Sequence, residues 1–398
     1  MRTITLISII FLSFSGCCKK IDPDPVKERS VLIYMAANNN LSPFSKNNLL
    51  ALKSGFLPSN GNIIVYQHLM GEPPKMFRLV KDKKTNTIEE EMIAEYPQNE
   101  RSTDPAVLTR SLQLMKELYP AKDYGLILWS HGTGWVPPVG TKSFPHFLME
   151  PYSNYKRLSI SELQQTKSFG AYGSDPGMDI TDLANAIPYR LSFLLFDACL
   201  MGGIETLYAM RDVTDYMVAS PAEILGDGFP YKTIMQPLFL PQPDLTAVCN
   251  TFFNFYDEQT GLSRSATIAL YDTKAVIDFA DVVRTIYGAY REELVTFSPV
   301  DVQPYANTPL QNLAYYDLDD FVKQIANESD YKLFTSALEK VVIHKRSTDY
   351  FYSNLHGAST VPIKHFGGIS TFIPYNAQSA LSASYKETEW NRAVHLIE

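Results

Sequence analysis

The chain has 398 residues, 45% of them hydrophobic and 20% charged, which fits a globular protein of one large domain or two. A formal charge of −8, with no basic stripe interleaved with aromatics, argues against a nucleic-acid partner. Neither HExxH nor CxxC spacing occurs, and His146, His344, His356, His365 and His395 are scattered, so no metal site is expected.

The first residues read as an export signal. Arg2 supplies the positive end, and Thr3 to Ser15 is an uncharged, mostly apolar run too short to span a bilayer. Ser15-Gly16-Cys17 resembles the lipid-attachment box of bacterial lipoproteins. Residues 1–16 are then a removed signal, Cys17 is the lipidated residue, and 17–29, with Pro23 and Pro25, is a tether to the cell-envelope membrane. Cys18 is the alternative acceptor, and a plain secretory signal is the competing reading. Beyond this segment only Cys199 and Cys249 remain.

Val31 to Ala37 is expected to be a strand, Pro43 to Phe56 a helix, Asn62 to His68 a strand, and Met76 to Lys81 part of an edge hairpin. Asp104-Pro105 marks a helix start, an acidic cap followed by proline in the first turn. Val107, Leu108, Leu112, Met115 and Leu118 then give that helix one apolar face. Tyr124 to Trp129 is an apolar run that ends in Ser130-His131-Gly132-Thr133-Gly134-Trp135. Prolines and glycines punctuate 137–177, so long loops are expected there, with a helix over 161–167.

Thr181 to Ile187 is a short helix, and Leu191 to Phe196 a second strand buried on both faces. Polarity breaks at Asp197, two residues before Cys199, and Gly202-Gly203 lets the chain turn into a helix over 204–211. Strand Tyr216 to Ser220, loop Pro221 to Pro230, helix Asp244 to Tyr256 and strand Ala266 to Tyr271 follow. Residues 273–398 read as mainly helical, with a late strand, Gly368 to Ile373, expected to rejoin a sheet. Apolar strands alternating with helices predict an α/β domain over 30–272, its sheet mostly parallel and covered by helices.

In such sheets ligands bind at the carboxyl ends of strands. Two buried strands that deliver His131 and Cys199 to those ends supply a base and a thiol, the pair that thiol hydrolysis needs. Imidazole can activate the thiol and protonate a leaving amine. Glycine at 132 and 134 allows close approach of a substrate, and a backbone N–H there can face a developing oxyanion. A free cysteine is otherwise most often a core residue, the reading adopted for Cys249.

The His131-to-Trp135 and Asp197-to-Gly202 segments resemble the two catalytic motifs of clostripain-type cysteine peptidases, which share the caspase, gingipain and legumain fold. Segments 34–41, 218–231, 315–318 and 368–374 are similar to further parts of that family. The resemblance implies a caspase-like fold, peptide or protein substrates and a monomer. It also implies activation by cleavage in the 140–170 interval, where Lys142, Lys156, Arg157 and Lys167 are the basic sites, and calcium dependence, for which no carboxylate cage is evident.

With this resemblance Cys199 is the nucleophile, His131 the acid–base, and the N–H groups of Gly132 and Cys199 the oxyanion donors. Asp197 is expected at the floor of the S1 pocket, pairing with Arg or Lys of the substrate, or else capping backbone N–H groups. Asp227, in a Gly-Asp-Gly turn, is a second S1 candidate. Trp135 is either a cleft wall or a core aromatic, Glu223 an exposed charge, and Asn38 to Asn40 a helix cap or ion site. The alternatives to an Arg/Lys-directed endopeptidase are a catalytically silent binding lipoprotein and a cysteine peptidase with non-basic preference.

Overall fold

The computed structural model describes residues 23–57, 60–136, 170–172, 175–307, 314–354, 358–374 and 379–398. The export segment with Cys17, the helix expected over 161–167, and Lys142, Lys156, Arg157 and Lys167 lie outside the described residues. Nine strands form the central sheet: β1 (Lys27–Ala37), β2 (Gly61–Leu69), β3 (Lys75–Lys81), β4 (Ile88–Glu95), β5 (Ala121–Trp129), β6 (Leu191–Asp197), β7 (Thr214–Ala219), β8 (Thr267–Asp272) and β9 (Val342–Ser347). Their order is β9-β8-β7-β6-β5-β1-β2-β3-β4. The inner five, β7-β6-β5-β1-β2, run parallel, and antiparallel pairs flank them on both sides.

Burial explains which segments lie inside. All of Val31 to Ala37 and Phe193 to Phe196 are buried, as apolar strands covered on both faces must be. The helix α1 (Ser42–Ser54) carries the chain from β1 to β2, whereas α3 (Ile180–Ala186) and α4 (Ile204–Met210) carry it the other way, from β5 to β6 and β7. Right-handed crossovers in opposite directions put α1 on one face and α3 and α4 on the other. Accordingly α1 packs on α5 (Tyr231–Leu238), and α5 on α6 (Leu245–Asp257), while α3 packs on α4 and on α2 (Pro105–Leu118). The direction of travel reverses between β1 and β5, and ligand sites of open α/β sheets form at such switch points.

Helix α2 begins as its sequence dictates. Asp104 accepts the Ala106 N–H at 2.9 Å, Pro105 takes the first turn, and Val107, Leu108, Leu112, Met115 and Leu118 are buried.

The C-terminal region departs from the expected pattern. Its helices are present: α7 (Val276–Ala289), α8 (Arg291–Thr296), α9 (Leu318–Ile325), α10 (Glu328–Val341), α11 (Ala380–Lys386) and α12 (Glu389–Val394). The strand it contributes to the central sheet, however, is β9, which follows α10 directly and pairs antiparallel with β8. The expected late strand shrinks to Ser370–Thr371, which pairs with Tyr316–Asp317 in a separate two-stranded ladder. It is held there because the Ser370 N–H donates to Gly202 O at 3.0 Å, which seats the segment against the turn after Cys199. Among the described residues no helix is long and apolar enough to cross a membrane.

Candidate active site

Strand register brings the two motif residues side by side. β5 and β6 are parallel neighbours in which Trp129 pairs with Asp197, so His131 and Cys199 each lie two residues beyond a matched strand end. The Ser130 N–H donates to Asp197 O at 3.4 Å, and the Ser130 hydroxyl to Ala36 O at 2.7 Å, tying the ends of β5, β6 and β1 together. The loop after β5 then lies along the loop after β6. A Cβ at Gly132 would sit 2.5 Å from Cys199 O, and one at Gly134 2.5 Å from Leu200 O. Only glycine allows so close an approach.

The turn after Cys199 is held in a costly conformation. Leu200 has φ +61°, a left-handed value uncommon for a residue with a side chain. The Leu200 N–H donates to Ala222 O at 2.9 Å and the Gly202 N–H to Ser220 O at 2.8 Å, so the neighbouring loop fixes the turn.

Cys199 is 1% exposed. Its Sγ donates to Ile224 O at 3.6 Å and accepts the Ile224 N–H at 3.4 Å, so the segment around Ile224 covers the thiol. His131 is 7% exposed, and its Nε2 lies 2.6 Å from Asn40 Oδ1. Asn40 follows β1, on the far side of β5 from Cys199.

Asp197 is wholly buried, and its Oδ2 accepts the Phe229 N–H at 3.3 Å and the Tyr231 hydroxyl at 2.9 Å. Burial, and then the adjacent Asp197 charge, push the Tyr231 phenol well above its ordinary range, so it stays a donor. Asp227 is exposed at the tip of the same loop, with its carbonyl accepting from Asn48 Nδ2 at 2.8 Å. Loop 221–230 thus contacts the thiol near one end and Asp197 near the other.

One expectation needs correcting. Glu223 is buried, not an exposed charge: it accepts from the Ser353 hydroxyl and from the Asn354 N–H at 3.1 Å. Those donors come from a hairpin 130 residues further along the chain, beyond the reach of local sequence patterns. Trp135 is 2% exposed and takes the core alternative, with its ring 5.2 Å from Phe372 and from Tyr385. Its Nε1 donates to Ala314 O at 3.3 Å, so it anchors the segment around Ala314.

Cys249 is buried, and burial raises its thiol far above the usual range, as an inert core cysteine requires. Asp317, Asp319 and His365 are brought together, their ligand atoms within 4.8 Å of one another. They serve one another and nearby donors. His365 Nε2 lies 2.8 Å from Asp319 Oδ2, and Asp317 accepts from the Tyr305 hydroxyl at 2.5 Å and the Gly367 N–H at 2.6 Å. Burial pushes the Asp317 carboxyl up to about 6. A cavity of about 250 Å³ opens between Trp135, Asp179, Glu205 and Ala383, and neither Cys199 nor His131 lines it. Sequence reasoning missed the Asn40 contact and the buried Glu205; a short polar residue just past an apolar strand was the available signal for Asn40.

A family model described as Peptidase_C11, clostripain family, matches residues 33–393. Clostripain of Hathewaya histolytica is 26% identical over 230 residues, 52% of this chain and 41% of its own length, so this chain spans about two fifths of that relative. An inactive zymogen of a C11 protease from Parabacteroides distasonis is similar in structure, with a TM-score of 0.79 and 32% identity, covering 93% of this chain and 99% of its own. A secreted C11 cysteine protease from Bacteroides thetaiotaomicron, solved with an irreversible peptide inhibitor, gives a TM-score of 0.75 and 26% identity over 92% of this chain and 98% of its own. With a match over nearly the whole chain and paired histidine and cysteine loops at neighbouring strand ends, the chain belongs to the clostripain family of cysteine peptidases.

Proposed function

We propose that the protein is a cysteine endopeptidase acting through Cys199 and His131 and cutting after Arg or Lys. The carrying observation is the matched register of β5 and β6, with Gly132 packed against the Cys199 carbonyl. In this reading the Cys199 thiolate attacks the scissile carbonyl, and the N–H groups of Gly132 and Cys199 receive the oxyanion. His131 protonates the leaving amine, then draws a proton from the water that hydrolyses the thioester.

Asp197 supplies fixed negative charge beneath the pocket, and exposed Asp227 meets the substrate cation. An apolar side chain beside these two carboxylates would be disfavoured. Burial of Cys199 under the Ile224 segment suits a latent form, opened by cleavage in the 140–170 interval at Lys142, Lys156, Arg157 or Lys167. Export with a lipid at Cys17 belongs to the same reading, on the strength of Ser15-Gly16-Cys17 alone. A non-basic preference is the second reading, favoured by the bonds that Asp197 already makes to Phe229 and Tyr231.

Reporter peptides with Arg, Lys, Asp or Leu at P1, given to wild type and Cys199→Ala, test both. Cleavage should be confined to Arg and Lys, and the variant should lose roughly 10⁴-fold or more in kcat/KM. A variant as fast as wild type removes the mechanism; preference for Leu transfers the assignment to the second reading.

A further inference from the structure

We infer that Asn40 is a positioning residue that fixes which nitrogen of His131 handles the proton, an inference resting on the peptidase reading. An amide oxygen can only accept. With Oδ1 2.6 Å from Nε2, the imidazole must carry its hydrogen on Nε2, so in the neutral ring Nδ1 holds the lone pair. Nδ1 is then the atom that takes the Cys199 proton, returns it to the leaving amine, and later accepts one from the attacking water. Each transfer breaks one bond to hydrogen and forms another, and the ring ends as it began.

The surroundings of Asn40 are built to hold it there. Its neighbour Asn39 closes the turn after β1: Oδ1 accepts the Leu41 N–H at 2.9 Å, and Nδ2 donates to Ala36 O at 3.2 Å. The Ser42 hydroxyl donates to Ala37 O at 2.6 Å, and Ser130, the residue before His131, donates to Ala36 O. The turn that carries Asn40 and the loop that carries His131 are therefore fixed to the same strand end. Asn40 does not serve the helix that follows, because Leu41 occupies the N-cap of α1 with no side-chain cap bond. Its place is the switch point between β1 and β5, opposite the strand that brings the thiol.

The test compares Asn40→Ala and Asn40→Asp with wild type. Asn40→Ala should lower kcat by about 10- to 100-fold with KM within about twofold, the usual cost of losing a residue that orients a functional imidazole. Asn40→Asp keeps an acceptor and adds charge, so it should retain most of kcat and move the His131 limb of the pH–rate profile upward by about one pH unit. Equal loss in both variants with unmoved profiles, or full activity in Asn40→Ala, overturns the inference. A second readout is independent of turnover. Ring ¹⁵N shifts of His131 should show the Nε2–H form in wild type and a mixture in Asn40→Ala, and an Nδ1–H form in wild type refutes the assignment. A wild type that cleaves no peptide even after processing in the 140–170 interval defeats the peptidase reading instead, while the ring shifts still decide the role of Asn40.

Discussion

Gly132 shows how little latitude single residues have at this site. A methyl group there would meet Cys199 O at 2.5 Å, Met201 Sδ at 3.0 Å and the Ala198 Cβ at 3.1 Å. Met201 can yield, but the carbonyl belongs to a turn already fixed by Ala222 and Ser220. Gly132→Ala should therefore displace the His131 loop and lower kcat/KM by about 100-fold, the order of loss that follows a displacement of about 1 Å. Steady-state kinetics on an Arg reporter peptide check this, and an unchanged rate would show that the loop relaxes freely. The polar residues nearby were half legible. A break of polarity after an apolar run marks His131 and Cys199, but nothing local says that Asn40 faces the imidazole or that Glu223 is covered.

At the scale of elements, α4 and the Ser370–Thr371 strand meet through one buried carboxylate. Glu205 sits in the first turn of α4, and its Oε1 accepts the Thr371 hydroxyl and the Phe372 N–H, each at 3.0 Å. Its Oε2 is buried, and burial pushes the carboxyl up to about 7. Because the folded chain holds this proton more tightly than the unfolded one, its stability is complete below about pH 4.5 and falls as pH rises through 7. The full loss is roughly 3 kcal/mol. Glu205→Gln removes the titration, so the variant should melt close to wild type near pH 4.5 and above it at pH 8. Thermal melts across that range decide, and a gap independent of pH would mean that Glu205 does not titrate there.

Edge elements were the least legible. β4 reads Ile88-Glu-Glu-Glu-Met-Ile-Ala-Glu95, and its residues are mostly exposed or half-buried, so no apolar run announces it. Its glutamates answer cations on neighbouring elements instead, Glu90 with Lys53 and Lys75, and Glu91 with Arg78. β9 continues α10 without a turn residue, and only its pairing with β8 makes it a strand.

Across the whole molecule, the C-terminal region completes the core. Trp390 on α12 is fully buried between Tyr208 of α4, with ring centroids 5.5 Å apart, and Phe279 of α7, at 6.2 Å. Trp390→Ala should cost about 3–5 kcal/mol, the usual range for deleting a buried indole. The loss should appear in the unfolding of the entire chain, because α4 follows directly from the turn that carries Cys199. Denaturant melts followed by fluorescence and by inhibitor labelling of Cys199 should shift together; a shift confined to one probe would indicate a separately folding C-terminal unit.

The sequence alone determined the alternation of apolar strands and helices, the cap at Asp104-Pro105, and the glycine-flanked histidine and cysteine at strand ends. These are local properties, set by side-chain polarity over a few residues and by the backbone freedom of glycine. Tertiary structure decided the strand order and register that put residues 40, 131 and 199 on three neighbouring strand ends, and it decided the burial of Glu205, Glu223 and Trp135. Those outcomes depend on partners tens to hundreds of residues away, and a hydrogen-bond donor or an apolar lid at that distance leaves no trace in local periodicity.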